Sequence, residues 1–223
     1  MPVNSRNRIA VNVVSSVIQV VMTGIVYFFV YRLLVIKLGV EILGVWSLII
    51  ATASISNLSN LGFSSAVIKY VAEYNAKGEA DRINRLIYTS VISISIFFLI
   101  LGAVIYLSAF LFIDRVINPE YKDLAMRILP ISLAGLFFYT TGNVLTSGLE
   151  GLQKNYIRNF AYAIASVFYL LLAILMIPVS GLTGLALAQV IQTIIVFIIS
   201  YYYLKRSVSG FGIKRLKWDH EVF

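Results

Sequence analysis

The sequence predicts an all-α integral membrane protein, a bundle of six transmembrane helices with both termini in the cytoplasm. Three observations carry this. Of 223 residues, 60% are apolar and 13% charged, with a mean hydropathy of +0.89, whereas soluble domains run about 45–50% apolar and about 25% charged. So little charge does not cover the surface of a soluble globule. The apolar residues fall in long charge-free windows, and the basic residues collect between alternate windows. Soluble enzymes, DNA-binding domains and disordered linkers are thereby excluded.

Taken in chain order, Ile9–Tyr31, Ile42–Ile68, Leu86–Ile113 and Ile128–Leu149 are free of charge, and each reaches the roughly 20 residues that a helix needs to cross the hydrocarbon. The next window, Asn159–Leu204, corresponds to roughly 69 Å of helix at about 1.5 Å per residue. It holds two crossings, broken at Ile177-Pro178-Val179-Ser180-Gly181, where proline and glycine interrupt a helix. The expected spans are residues 9–34, 42–66, 86–110, 124–148, 156–177 and 182–204, within a lobe of residues 1–206. Residues 207–223 read as a cytoplasmic tail whose end, Lys217–Phe223, stops without a helix stop signal, as though the chain were cut at the start of a linker. A β-barrel is excluded, because the windows are continuously apolar and do not alternate. The first window is too long for a signal-peptide core and precedes no small-residue cleavage site.

Orientation follows from the basic residues. An inside N-terminus places 13 of the 18 lysines and arginines in the cytoplasm, leaving Arg32, Lys37, Arg115, Lys122 and Arg127 outside. Cytoplasmic segments of membrane proteins are enriched in this way. The net charge of +8 is thus a topology signal and implies no nucleic-acid partner. Cysteine is absent and the single histidine, His220, lies three residues from the end, so no thiolate metal site, disulfide or imidazole chemistry is expected.

Each span carries a narrow polar face at helical spacing. Span 1 aligns Arg8, Asn12, Ser16, Gln19 and Thr23; span 2 aligns Ser54, Asn57, Asn60 and Ser64; span 3 aligns Arg82, Arg85, Thr89 and Ser93. Span 4 contributes Ser132, Tyr139, Asn143, Thr146 and Glu150, and span 5 Asn155, Asn159, Tyr162, Ser166 and Tyr169. Span 6 is the weakest, with Gln189, Gln192, Thr193 and Ser200. Amides and hydroxyls avoid lipid and turn inward. Any one stripe reads as interhelical hydrogen-bond glue. Six stripes on six helices read as the wall of a wettable lumen, with Asn12, Gln19, Thr23, Asn57, Asn60, Tyr139, Asn143, Asn159, Tyr162 and Gln189 as its substrate-contacting candidates.

The middle of every span lacks Asp and Glu. An organic-cation pump or proton relay usually uses an intramembrane carboxylate, so a neutral, hydrogen-bonding lumen suits hydroxyl-rich cargo such as sugar. At the cytoplasmic rim, Arg8, Arg82, Arg85 and Arg158 are candidates to attract phosphate through bidentate hydrogen bonds; for any one of them alone, topology signalling and contact with anionic lipid heads is the favoured reading. Phosphate-loop, zinc-site and catalytic-triad patterns are absent. No enzyme activity, cofactor or metal is expected.

Three stretches, LGVEILGVWSL (Leu38–Leu48), LGFSSAVIKYVAEYNAKGEADRINRLI (Leu61–Ile87) and SGLEGLQKNYIRNFAY (Ser147–Tyr162), resemble the polysaccharide-transporter branch of the multidrug/oligosaccharidyl-lipid/polysaccharide (MOP) exporter superfamily, the Wzx-like flippases. The resemblance implies a MATE-like fold of two six-helix lobes around a central cavity, of which this chain supplies the N-terminal lobe. It also implies a flippase in the cytoplasmic membrane that moves polyprenyl-diphosphate-linked oligosaccharide for O-antigen, lipopolysaccharide or other polysaccharide biosynthesis, by alternating access. The partners implied are the lipid-linked oligosaccharide, membrane lipids, a C-terminal lobe and glycan polymerase or assembly proteins. Related lipid II flippases carry arginines within the first span, and the stretch from Gly24 to Val30 has none. The rival readings are a cation-coupled drug exporter of the same fold and a non-transporting scaffold of a glycan assembly complex.

Overall fold

The computed structural model describes residues 5–115 and 117–212; the side chains at 5–9, 52–61 and 114 lie outside that description. The order is α1 (Ser5–Leu38), α2 (Val40–Lys77), α3 (Ala80–Phe112), a 3-10 turn at Ile113–Arg115, α4 (Pro119–Gly151) and α5 (Asn155–Ser207). Among the described residues α1 from Ala10, α3, α4 and α5 are long and apolar enough to cross a membrane, and α2 opens with a shorter apolar stretch, Val40–Ala51.

The helices overrun the apolar windows because nothing in the flanking sequence stops them. Instead they end at residues that can leave helical geometry. Gly78 adopts φ +73°, and Glu79 N–H donates to Tyr74 O at 2.9 Å, closing the C-terminus of α2 with the left-handed cap that glycine favours. Asn118 precedes Pro119 at the first position of α4, where the missing N–H of proline costs nothing.

In α5, Gly181 takes φ +58° and ψ −135° three residues after Pro178, a region closed to side chains with a Cβ. The helix folds back there. Lys154 Nζ, just before α5, donates to Ser207 Oγ, its last residue, at 2.6 Å, whereas a straight helix of that length would separate its ends by about 80 Å. The break expected at residues 177–181 is therefore a hairpin between a first arm, 155–180, and a second arm, 182–207.

The central helix is α4. Gly135, Gly142 and Gly148 face Val190, Phe197 and Leu204 of the second arm, a register of 55 or 56 residues that makes the two helices parallel and brings their backbones close. Gly151 lies against Ile68 and Val71 of α2 so tightly that an added Cβ would stand 2.8 Å from Ile68 O.

Two apolar clusters close the ends of the bundle. One joins Leu34, Trp46, Ile128, Ile177 and Leu185 near the α1–α2 turn and Gly181. The other joins Val71, Ile87, Leu149 and Leu204 near the α2–α3 and α4–α5 turns. There Phe211 stacks on Tyr88 at 5.0 Å, and Asn84 Nδ2 donates to Ser209 O at 3.1 Å. The start of the tail is thus folded onto the bundle; residues 213–223 lie outside the described residues.

Candidate functional site: a polar cavity at the centre of the bundle

Between the clusters lies a cavity of about 560 Å³ walled by α1, α2, α4 and both arms of α5. The helical repeat of α4 builds its longest wall. Ser132, Tyr139, Asn143, Thr146 and Glu150 fall on one face and extend about 27 Å along the axis at about 1.5 Å per residue, close to the roughly 30 Å of a hydrocarbon core. Gln19, Thr23 and Tyr27, each four residues apart on α1, face them. Ser147 of α4, Ser64 of α2, Arg158 and Tyr162 of the first arm, and Gln189, Gln192 and Thr193 of the second complete the polar lining.

Much of this lining already satisfies part of its hydrogen-bonding capacity. Tyr162 Oη donates to Asn143 Oδ1 at 2.9 Å, and Gln19 Nε2 donates to Thr23 Oγ1 at 3.0 Å. Thr146 and Thr193 donate to carbonyl oxygens of their own helices, which leaves hydroxyl lone pairs for other donors. Ser132 Oγ is buried and lacks a protein partner. Beside the apolar Ile49, Ile50, Ile68, Leu136, Phe138 and Val196, the uncharged polar part of the wall is amide, hydroxyl and phenol, a surface that exchanges hydrogen bonds with water or sugar hydroxyls at little cost.

Among the described residues, two charged side chains line the cavity, and they neutralise each other. Arg158 Nε stands 2.9 Å from Glu150 Oε1. The contact is an ion pair without an aligned N–H···O bond, since Nε has no hydrogen-bond acceptor. The guanidinium also lies 5.5 Å over the Tyr162 ring, within cation–π range. Glu150 thus corrects the expectation of a lumen without carboxylates: it sits near the end of its helix, as the sequence indicates, but the cavity reaches that far.

Of the lumen candidates, Gln19, Thr23, Tyr139, Asn143, Tyr162 and Gln189 line the cavity. Asn12 and Asn159 do not, and both stitch α1 to α5 instead. Asn12 Oδ1 accepts from Tyr156 N–H at 3.2 Å, capping the start of α5 from another helix, and Asn159 Nδ2 donates to Ser15 and Ser16 Oγ at 2.9 Å each. The side chains of Asn57 and Asn60, like that of Arg8, lie outside the described residues. The stripe of α3 is a second correction, because none of its residues borders the cavity. Thr89 is fully buried, within a helix that packs on the outside of α4 through Ile87 and Phe98.

The basic rim also divides. Arg158 lines the cavity, whereas Arg82 and Arg85 are exposed and outside it. Arg82 Nη1 lies 3.3 Å from Glu79 Oε2 and its guanidinium 5.6 Å over Tyr74. Nearby, Lys77 Nζ donates to Glu73 Oε1 at 2.6 Å, and this ammonium holds the Glu73 carboxyl below the usual carboxylate range. Lys77 and Arg82 are thus each paired with an acid about one helical turn away. Ser147 and Tyr27 are the polar lining residues outside the stripes, and Tyr27 is the more telling of the two. Its signal was present, since it continues the four-residue step from Gln19 and Thr23, but tyrosines in membrane helices also serve as interface anchors.

The fold is that of MOP-superfamily transporters. Similar solved structures include a MOP superfamily transporter from Pyrococcus furiosus (TM-score 0.74, 18% identity, 95% of this chain and 49% of that one) and an outward-facing multidrug resistance MATE family transporter of the same superfamily (TM-score 0.70, 20% identity, 95% and 49%). A MATE protein in complex with MaD3S is similar to the same degree (TM-score 0.74, 19% identity, 96% and 50%). The chain spans about half the length of these proteins, the extent of one lobe. The class is therefore a multi-pass membrane protein whose fold is similar to one half of these transporters. The chain belongs to the polysaccharide biosynthesis protein family, whose sequence model matches residues 8–218. No curated protein matches it.

Proposed function

We propose that this chain is the N-terminal lobe of a flippase that moves polyprenyl-diphosphate-linked oligosaccharide from the cytoplasmic to the outer leaflet of the cell membrane. In this reading α1, α2, α3, α4 and the two arms of α5 make six crossings, with both ends of the lobe cytoplasmic. A second lobe completes the cavity, and rocking of one lobe against the other exposes it to each side in turn.

The observation that carries the reading is the composition of the cavity wall. It is uncharged along its length except for one self-neutralised pair, so it offers hydrogen bonds to sugar hydroxyls without the fixed charge that a cation site needs. A glycan crossing there keeps its polar groups partnered, whereas each unpartnered group in hydrocarbon costs several kcal/mol. Arg158 is the candidate to receive the diphosphate, since a guanidinium matches phosphate oxygens two at a time.

The test is leaflet exchange of a fluorescent polyprenyl-diphosphate oligosaccharide by the full-length protein in vesicles. Exchange above protein-free vesicles, lost in Arg158→Gln and kept in Arg82→Gln, is expected. Glu150 on the cavity wall favours a second reading, a cation-coupled drug exporter. Proton-dependent drug efflux abolished by Glu150→Gln, with no lipid exchange, would establish that reading in place of the first.

A further inference from the structure

The walls of the cavity leave α3 unaccounted for. Among the described residues none of α3 borders it, yet the first turns of α3 bury two polar side chains, Asn84 and Tyr88, to 5% and 8% exposure. Both meet the segment that follows α5. Asn84 Nδ2 donates to Ser209 O at 3.1 Å, and the Tyr88 ring stacks on Phe211 with centroids 5.0 Å apart.

That segment is built as a turn. α5 ends at Ser207, whose Oγ accepts from Lys154 Nζ of the α4–α5 turn at 2.6 Å. The backbone reverses at Gly210, φ +74°, where Phe211 N–H donates to Val208 O at 3.2 Å. The turn buries Val208 and Phe211, and it brings the Phe211 ring to 5.8 Å from Tyr201 of the second arm as well. Segments beyond a helix end usually stay loose unless something ties them down. Here the tie is a hydrogen bond and a buried ring, both reaching a helix more than a hundred residues earlier in the chain. Because α3 packs mainly on α4 and α2, residues 208–211 bridge it to the second arm of α5.

We infer that residues 208–211 are a mount for the connection to the second lobe. They fix the point where the chain leaves this lobe beside α3, so that α3 and the second arm of α5 carry that connection as one body. The inference rests on the two-lobe flippase reading, and it gives α3, with Asn84 and Tyr88, a positioning role that the cavity does not supply. Releasing the mount frees residues 208–211, about 13 Å of chain at about 3.3 Å per residue. Such slack lowers the effective concentration of one lobe at the other and lets the second lobe sample positions outside the rocking motion.

The test uses the full-length protein in vesicles, with any cysteine of the second lobe replaced first, and reads distances between pairs of nitroxide labels by pulsed electron resonance. One pair joins Asn75→Cys to the cytoplasmic face of the second lobe. A second pair, Asn75→Cys with Gln153→Cys, lies wholly within this lobe at exposed positions. In the double variant Phe211→Ala with Asn84→Ala, the interlobe distribution is expected to broaden by up to about 13 Å while the intralobe distribution keeps its width. Exchange of a fluorescent polyprenyl-diphosphate oligosaccharide should fall about tenfold with the lost effective concentration. Phe211→Tyr, which keeps the stacked ring, should restore both in the Asn84 background, and Phe28→Ala, on the exposed face of α1, should move neither.

An interlobe distribution and exchange rate unchanged in the double variant would overturn the mount and leave the flippase reading standing. Broadening of the intralobe pair to the same extent would show a brace of this lobe alone and would also overturn it. Interlobe broadening on release, in a protein whose unaltered form exchanges no oligosaccharide-lipid, would do the reverse, upholding the mount and removing the transported lipid.

Discussion

The ion pair between Glu150 and Arg158 sets the charge of the cavity, and breaking it gives the sharpest local prediction. At 2.9 Å and an effective dielectric of about 20, the direct attraction is about 6 kcal/mol. The side chains are 22% and 38% exposed, so solvent screens the pair and desolvation offsets much of the rest. Exposed pairs net about 0–1 kcal/mol, whereas removing one partner of a fully buried pair costs about 3–5 kcal/mol. A coupling of about 1–2 kcal/mol is expected for this intermediate case. A double-mutant cycle of Arg158→Gln, Glu150→Gln and the double variant, read by equilibrium unfolding in mixed micelles, measures it. Coupling below about 0.3 kcal/mol, the usual limit of additivity, would refute the pairing. The same variants have opposite consequences for ligand: Glu150→Gln releases Arg158 and should tighten polyprenyl-diphosphate binding, and Arg158→Gln should weaken it. Parallel changes in affinity would remove Arg158 as the phosphate contact.

Further predictions concern the frame that holds the cavity. Asn159→Ala removes two hydrogen bonds to α1 and should cost about 0.6–1.7 kcal/mol in the same unfolding assay. Gly181→Ala forces a Cβ into a glycine-only conformation and should cost about 1–3 kcal/mol. Glycines of α3 and α4 should respond with opposite sign. Gly102 has no heavy atom within 4 Å of its added Cβ, so Gly102→Ala should stabilise by up to about 1 kcal/mol through helix propensity. Gly151→Ala meets Ile68 O and Val71 and should destabilise by about 1–3 kcal/mol through overpacking.

Charge-free windows locate the apolar stretches of α1, α3 and α4, and the proline–glycine pair locates the fold-back of α5, because each is set by local rules of solvation and backbone geometry. Helix ends were less legible. Residues 69–77 continue α2 past its apolar window, since charged residues support a helix as well as apolar ones until Gly78 ends it. Polar periodicity identifies a face but not what the face meets. Thr89 on α3 and Asn143 on α4 have the same signature, yet one is packed beside other side chains and the other borders open space. Asn12 and Asn159 fall on cavity-like stripes and form the α1–α5 stitch because they sit where the two helices touch. The role of Glu150 depends on how far the cavity extends along α4, a tertiary property with no trace in linear spacing.

The central claim is that the space enclosed by α1, α2, α4 and α5 is wet and is the path of the polar head. The chain contains no cysteine, so single cysteines placed at Asn143 and Gln192, with Thr89 as the packed control, report on it without background from this lobe, any cysteine of the second lobe being replaced first. In vesicles bearing the full-length protein, a membrane-impermeant thiol reagent should label both cavity positions and spare Thr89→Cys, and the oligosaccharide-diphosphate lipid should protect the two that label. Cavity cysteines that stay as unreactive as the α3 control would contradict the account.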